Sequence, residues 1–592
     1  MFGADGSAAP SPPKVGAGPE RLIVDQYTEG QFSGGFHDPT SSIDVTVVAQ
    51  GDAKVLKVAY EMAANGWVGI WHQVGMAWNQ PQDWSGFESL ILSIYSTEAV
   101  EFSTSMEIDE KTKCQGPVVA TAGRGWEEVQ LAAGSFVGLP GDVSQVRQLV
   151  LNFRSPGKRE VRIGWMQVIR DPKAVKDWVD LRAFAAVDAR PVLPARSATF
   201  HVSGQGDDNG DGSEQRPFKT VNRGVRDLRP GDTLLIHEGF YTERADAQDQ
   251  AGVRVALSGT RENPITIKSA SEKRPVITSA SWGTIRVQDS CHVVIDGLEV
   301  TTTPIMFEGK TSNVGNGISA ERSHHITIRN CIARGCGGNG IGSMHSDYIT
   351  VVGNQAIGNA FEMKWQGSGI SLYQHRDFDR IPGIRNIVSG NICYLNENKV
   401  PTDSGEFTDG NGIIVDDFRN SQGDGPHINY QGSTVISDNL CYNNGGRGIH
   451  VFLSDRAAIL NNTVHGNGRT LNNVGELSVW YARDIQVVNN IASSRPHGCA
   501  LSIEGGSSIG VWKNIFHAGS VAPQWMPGNT VADPRFVNPG EDAGADFRLQ
   551  SGSPAIDAAD AGRASSGFDL LGIKRPFGAA PDAGAYEWVM GK

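Results

Sequence analysis

The sequence predicts an all-β chain in which an N-terminal antiparallel β-sandwich (jelly roll) is followed by a right-handed parallel β-helix solenoid. Three observations predict it. A Gly-x-Gly-Ile step recurs as Gly315-Asn316-Gly317-Ile318, Gly338-Asn339-Gly340-Ile341, Gly367-Ser368-Gly369-Ile370, Gly410-Asn411-Gly412-Ile413 and Gly446-Arg447-Gly448-Ile449, with degenerate copies around Leu477 and Leu501. A second marker keeps step with it: each copy is trailed by a short apolar run ending near Asn330, Asn354, Asn391, Asn439, Asn462, Asn490 or Asn514. Upstream of Gly315 both markers vanish, and residues 20–172 instead show short alternating runs separated by Gly, Asp and Pro.

A period mostly between 23 and 30 residues, built from short β-rich strands and Gly/Asn turns, is the signature of stacked coils. Each coil rises ~4.8 Å above the last, with its strands paired in parallel. The asparagines then read as an inward ladder, in which each amide bonds those above and below it and satisfies buried polar groups. A structural role follows for all of them.

The chain of 592 residues is too long for one core, and its 72 glycines suit a fold that turns several times per coil. Charged residues make up 20%, too few on the surface of so apolar a repeat for disorder. The net charge of −13 argues against nucleic acid as a partner, because phosphate binding needs a basic surface. No run of about 18 apolar residues is present, so no membrane-spanning helix is expected. The seven cysteines follow no metal-ligand spacing, and free thiols are expected, with Cys331–Cys336 as the one local pair that could form a disulfide.

Residues 1–19 read as a disordered segment: Met1-Phe2-Gly3 lacks the charge and apolar core of a signal peptide, and Ala8 to Pro13 look like the unstructured start of a mature secreted protein. Residues 20–172 are assigned to the sandwich on runs such as Val55 to Tyr60, Leu90 to Tyr95 and Leu149 to Phe153. Within them, Trp67-Val68-Gly69-Ile70 and Asp83-Trp84-Ser85-Gly86-Phe87 resemble the jelly-roll carbohydrate-binding modules found beside bacterial glycanases. That resemblance implies that Trp67, Trp71, Trp78 and Trp84 form a sugar-stacking face, unless they fill the core instead. Residues 173–197 read as a linker, with a short helix around Val175 to Phe184 and a Pro-bearing run to Pro194.

The solenoid is assigned to 198–592. Pro217 to Thr220 and Gly231 to Ile236 resemble the opening of secreted β-helix enzymes, where a short helix caps the stack; Ala532 to Val537 and Ser553 to Asp557 resemble their closing coil. Asp207 to Gly212 imitates half a calcium loop, but Phe218 stands where the bidentate glutamate belongs, so a plain turn is expected.

If the repeated Ile points inward, the residues one before, one after and three after it face outward. Stacking makes these positions columns. The column three after reads Glu321, Met344, Tyr373, Asp416, Phe452, Trp480, Glu504; the column one after ends in His450, Ser478, Ser502; the column one before is glycine until Glu476. Aromatics and carboxylates on an open face suit a groove that grips and cuts a glycan. Two coils are over-long, and their surplus, Arg376 to Pro382, Asn396 to Thr408 and Phe418 to Gly432, must form loops on a rigid scaffold. Those loops flank Asp409, Asp416 and Asp417.

Paired aspartates ending a β-helix strand resemble the motif of polygalacturonase and dextranase hydrolases, although Asp409 lies on the same coil and Gly446 to His450 follow where those families add a third Asp. The expectation is a secreted or periplasmic bacterial glycoside hydrolase that needs no cofactor. Asp416 or Asp417 serves as acid or base, Glu476 as its opposite number and His450 as a further catalytic candidate, with Tyr373, Arg447, Phe452, Trp480, Asp409 and Lys399 binding polysaccharide. The competing chemistry is a polysaccharide lyase of the pectate or alginate kind, or a uronate epimerase, with calcium held by Asp409, Asp416 and Asp417 and with Lys364, Lys399, Arg376, Arg419, Arg447 or Tyr373 supplying basic groups. A non-catalytic glycan-binding protein is the third reading.

Overall fold

A computed structural model of the chain describes residues 20–25, 33–50, 53–77, 80–81, 84, 87–108, 112–141, 143, 146–170, 193–245, 250–379, 381, 383–423, 429–471, 474–518, 528–563 and 567–590. The expected N-terminal segment, most of the linker with its helix, and Trp78 lie outside them.

The first part of the chain forms two antiparallel sheets. Phe87–Ser96 sits between Gly125–Ala132 and Gly157–Arg170 in one; Gln148–Phe153 sits between Val68–Gln73 and Glu101–Glu107 in the other. Alternation drives their packing: Leu56, Val58, Leu90, Leu92, Leu149 and Leu151 are wholly buried, and Tyr60 stacks on Phe153 at 5.0 Å between ring centres. Trp84 is a core residue, Trp71 is half-buried, and Trp67 is exposed beside Phe36.

From Thr199–Val202 onward the chain winds into a right-handed parallel β-helix of three long sheets. A short helix, Val221–Val225, caps the first coil, with the Thr220 hydroxyl accepting the N–H of Arg223. Asp207 and Asp208 serve plain turns, bonding Asn209 and the backbone of Lys219 and Thr220. One sheet, here the front sheet, stacks Asn316–Glu321, Ile341–Met344, Ile370–Tyr373, Ile413–Asp416, Ile449–Phe452, Gly475–Trp480 and Cys499–Glu504 in register. Ile318, Ile341, Ile370, Ile413, Ile449 and Leu477 form one fully buried column, each contributing about 1.5–3 kcal/mol of apolar transfer.

The asparagine ladder exists, shifted at its start. Asn354, Asn391, Asn439, Asn462, Asn490, Asn514 and Asn529 pass amide hydrogen bonds of 2.9 to 3.0 Å from coil to coil. Asn330 is not a rung: it is exposed in the left-handed region at φ 52°, and Cys331 takes the ladder position, its N–H donating to Asn354. A second ladder, absent from the sequence reading, runs through Asn359, Asn396, Asn444 and Asn467. It explains the second glycine of the repeat: a Cβ at Gly340 would stand 2.6 Å from the Asn359 amide and 2.7 Å from the Gly369 carbonyl. The Asn between the glycines works as well, since Asn316 accepts from the N–H of Asn339, Asn339 from that of Ser368, and Asn411 from that of Arg447.

All seven cysteines are free, as expected, and Cys331 and Cys336 are not bridged. The C-terminal segment does more than close the last coil. Phe536, Phe547, Leu549, Ala585 and Tyr586 pack along the side of the solenoid against Ile332, Tyr394, Tyr442 and Ile491. Thr463 accepts the N–H of Ala585 across 122 residues of sequence, so the segment straps earlier coils.

Candidate functional site

The outward face of the front sheet carries a cleft of about 1060 Å³. Its floor is the pair of columns read from sequence: Ser319, Gly342, Ser371, Ile414 and His450 in one, Glu321, Met344, Tyr373, Asp416, Phe452 and Trp480 in the other. Its walls come from loops, with Met363 and Trp365 from one coil, Glu406 to Asp409 from the next, Gln422 from a third, and Leu471 and Val474 from the approach to Gly475–Trp480.

Asp416 ends its strand with its side chain in the cleft and accepts from the Gln422 amide at 3.1 Å. Burial, then the negative charges of Asp409 and Asp417, hold its carboxyl well above the usual carboxylate range. Asp409 enters from the loop wall. It accepts from Asn411 at 2.9 Å and from the Thr408 hydroxyl at 3.4 Å. Burial raises it too, opposed by the Arg447 guanidinium and those hydrogen bonds.

Arg447 is buried, lies 4.3 Å over the Trp480 ring and donates to the Thr408 carbonyl at 2.9 Å. Desolvation lowers its pKa to about 10. His450 is 3% exposed and sits edge-on to Phe452 and Trp480, each 5.5 Å away, with neither ring nitrogen hydrogen-bonded. Burial, reinforced by Arg447, keeps the ring neutral. Tyr373, one coil from Asp416, is pushed up to about 12 by burial and then by Asp416 and Asp417.

Three sequence-derived candidates are not part of this cleft. Glu476 points inward. It is 2% exposed, and its two oxygens take the backbone N–H and side-chain amide of Asn467 at 2.9 and 2.6 Å, so it terminates the second ladder in place of another Asn. The position before the repeated Ile faces the turn beneath, which is why it holds glycine elsewhere. Asp417 is fully buried in the left-handed region at φ 48°, and its oxygens accept from Gln374, the N–H and hydroxyl of Ser421, and the N–H of Gln422. It pins a loop. Lys399 is exposed and faces Glu397 at 4.0 Å, outside the cleft lining. Nor do Asp409, Asp416 and Asp417 bring their oxygens together as a calcium site would require, among the described residues.

Sequence reasoning missed the far end of the cleft. Trp282, Phe307 and Trp365 form an aromatic cluster with ring centres 5.1 to 5.7 Å apart, and Trp365 is 58% exposed. Lys364, over the Trp365 ring at 5.1 Å, is paired with Glu308 at 2.5 Å. No repeat marks these residues, because they come from turns and a small hairpin, Ile305–Phe307 with Lys310–Ser312.

The fold and site define a β-helix with an acidic, aromatic cleft on one sheet, joined to a β-sandwich. Residues 240–498 match the family model described as "Periplasmic copper-binding protein (NosD)". A 143-residue stretch is 29% identical to "Uncharacterized protein YwoF" of Bacillus subtilis (strain 168), covering 23% of this chain and 28% of that protein. The chain thus spans about a quarter of the length of that curated relative. Among solved structures, pectate lyase Pel9A is similar over 67% of this chain and 97% of its own, at 17% identity and TM-score 0.39. The GH136 lacto-N-biosidase from Eubacterium ramulus is similar over 57% and 67%, at 15% identity and TM-score 0.34. The family 11 carbohydrate-binding module from Clostridium thermocellum is similar over 26% and 98%, at 11% identity and TM-score 0.22.

Proposed function

We propose that this chain is an extracytoplasmic glycoside hydrolase that binds a neutral glycan along the front sheet, with Asp416 as general acid and Asp409 as the carboxylate that activates water or attacks the sugar. The observation that carries the reading is the pairing of these two carboxyls, in unequal environments, in a cleft floored and walled by Tyr373, Phe452, Trp480 and Trp365. A glycosidase needs one carboxyl kept protonated and a second kept charged. Arg447 supplies the charge that separates them.

Charge favours hydrolysis over elimination. Among the described lining residues, Glu406 and Asp409 stand against Arg447 as the single cation, since Asp416 is held protonated and Glu321 is paired with Arg286 at 2.5 Å. A polyuronate would find no surplus of cations there, so β-elimination would lack the groups that neutralise its carboxylate. The buried His450 offers a substrate hydroxyl an unengaged ring nitrogen, and Arg447 with Trp480 presents a flat face for a sugar ring. In the sandwich, exposed Trp67 beside Phe36 is the aromatic placed for a second glycan contact.

Incubation with a panel of neutral and acidic polysaccharides, recording reducing ends and unsaturated-uronate absorbance together, tests the reading. New reducing ends without absorbance, strongly slowed in Asp416→Asn and Asp409→Asn, are expected. Absorbance growth on a uronate polymer would replace hydrolase by lyase, and binding without turnover would leave a non-catalytic glycan receptor.

A further inference from the structure

On a different sheet of the solenoid, away from the cleft, three imidazoles meet. His292 lies on one coil, and His324 and His325 lie on the next, within the stacked strands Cys291–Asp296 and His324–Arg329. Successive residues of a strand normally point to opposite faces. Here His292 and His325 adopt left-handed backbone, at φ 51° and 54°, and the alternation breaks at both. As a result the neighbours His324 and His325 turn their Nδ1 atoms toward each other at 2.8 Å, and one ligand atom from each of the three rings lies within 4.8 Å of the other two.

Ring stacking accounts for part of this arrangement. His325 lies flat on Tyr348 at 4.3 Å and on His292 at 4.5 Å, and His324 lies on Phe378 at 3.7 Å. Stacking fixes the planes of the rings but is indifferent to a half-turn about Cβ–Cγ that exchanges ring nitrogen for carbon, so it does not require the nitrogens to converge. Two facing Nδ1 atoms can share one proton, and the third ring adds another lone pair to the same space. We propose that His292, His324 and His325 form a transition-metal site, a clip between two coils that takes a late first-row divalent ion such as Zn2+ or Cu2+.

The chemistry of the donor set selects that class. Imidazole suits zinc, copper and nickel, while calcium and magnesium need oxygen ligands. Nitrogens about 2.0–2.1 Å from a four-coordinate ion stand roughly 3.3 Å from one another, a spacing that the His324 and His325 Nδ1 atoms, 2.8 Å apart, already approach and that His292 would reach by turning its ring out of the stack. Three rings leave one coordination position for water or a cargo ligand.

Metal-stripped full-length protein, titrated with Zn2+ or Cu2+ against a chromogenic chelator while its thermal midpoint is followed, tests the site. The expected result is one tight equivalent and a raised midpoint for the native chain. His325→Phe and His292→Phe, which keep the stack but lose the nitrogens, should weaken that equivalent at least about tenfold and abolish the rise in midpoint. Their unliganded midpoints and their glycan turnover should stay near native. Absence of any equivalent that survives chelator, or an equivalent left intact in both Phe variants, would overturn the proposal.

Discussion

Glu476 accepts both the backbone N–H and the side-chain amide of Asn467, at 2.9 and 2.6 Å, and so closes a ladder of buried amides that begins at Asn359. A carboxyl sealed this way is pushed up to about 8 by burial, against its ordinary 4.5. Its folded pKa is raised, so the stability it contributes is complete below about pH 4.5 and is lost as pH climbs to about 8. The stability difference between the native chain and Glu476→Gln should decline across that window at up to about 1.4 kcal/mol per pH unit and flatten outside it. Glu476→Ala should cost about 1–3 kcal/mol for each Asn467 donor it strands. Denaturant melts at several pH values check both.

Catalysis should show the opposite residue in charge. Asp416→Asn is expected to lower kcat by about 10²–10⁴ while leaving glycan affinity intact, as removal of a general acid does. Because Asp416 must carry its proton, native kcat should fall as pH rises through its elevated pKa, and that alkaline limb should vanish in the residual activity of the variant. Asp409→Asn should erase the acid limb instead. Initial rates from pH 4 to 9 on one substrate separate them.

Removing a rung should be costly. Asn439 accepts from the N–H and the amide of Asn391 and donates to Val388 and Asn462, all at 2.9 Å. Asn439→Ala strands these buried groups, and a loss of at least about 3 kcal/mol is expected. Asn330→Gly, at an exposed left-handed position, should change stability by less than about 1 kcal/mol. Thermal denaturation of the two variants side by side decides between rung and bystander.

The aromatic end of the cleft should act on binding rather than chemistry. Trp365 is exposed on its wall, removed along the sheet from Asp416. Trp365→Ala should weaken a long oligosaccharide by up to about tenfold in affinity and hardly affect a short one, since an aromatic contact is worth about 0.5–1.5 kcal/mol. Calorimetry with oligosaccharides of increasing length measures this directly.

The two columns that floor the cleft were legible in the sequence because strand alternation is local: once Ile413 and Ile449 point inward, Asp416 and His450 must point out. The same logic failed one residue earlier. Glu476 occupies the position just before the inward Leu477, where the chain is still turning, and alternation does not govern a turn. Asp417 failed for a related reason, since a left-handed residue at φ 48° swings its side chain out of the strand's pattern. Nothing in an adjacent Asp-Asp pair reveals which of them the backbone will turn away.

From its sequence alone this chain determined a sandwich followed by a solenoid, the register of the front sheet, and the outward placement of Asp416, Tyr373, Phe452 and Trp480. Repeats and alternation encode these in spacings of a few residues, so no distant contact is needed to read them. Tertiary structure alone decided that Asp409, carried by a loop, and not Glu476 partners Asp416, that Trp365 extends the cleft, and that three histidines from two coils share one space. Those juxtapositions depend on loop paths and left-handed turns, whose geometry is set by packing across coils and leaves no periodic mark on the chain.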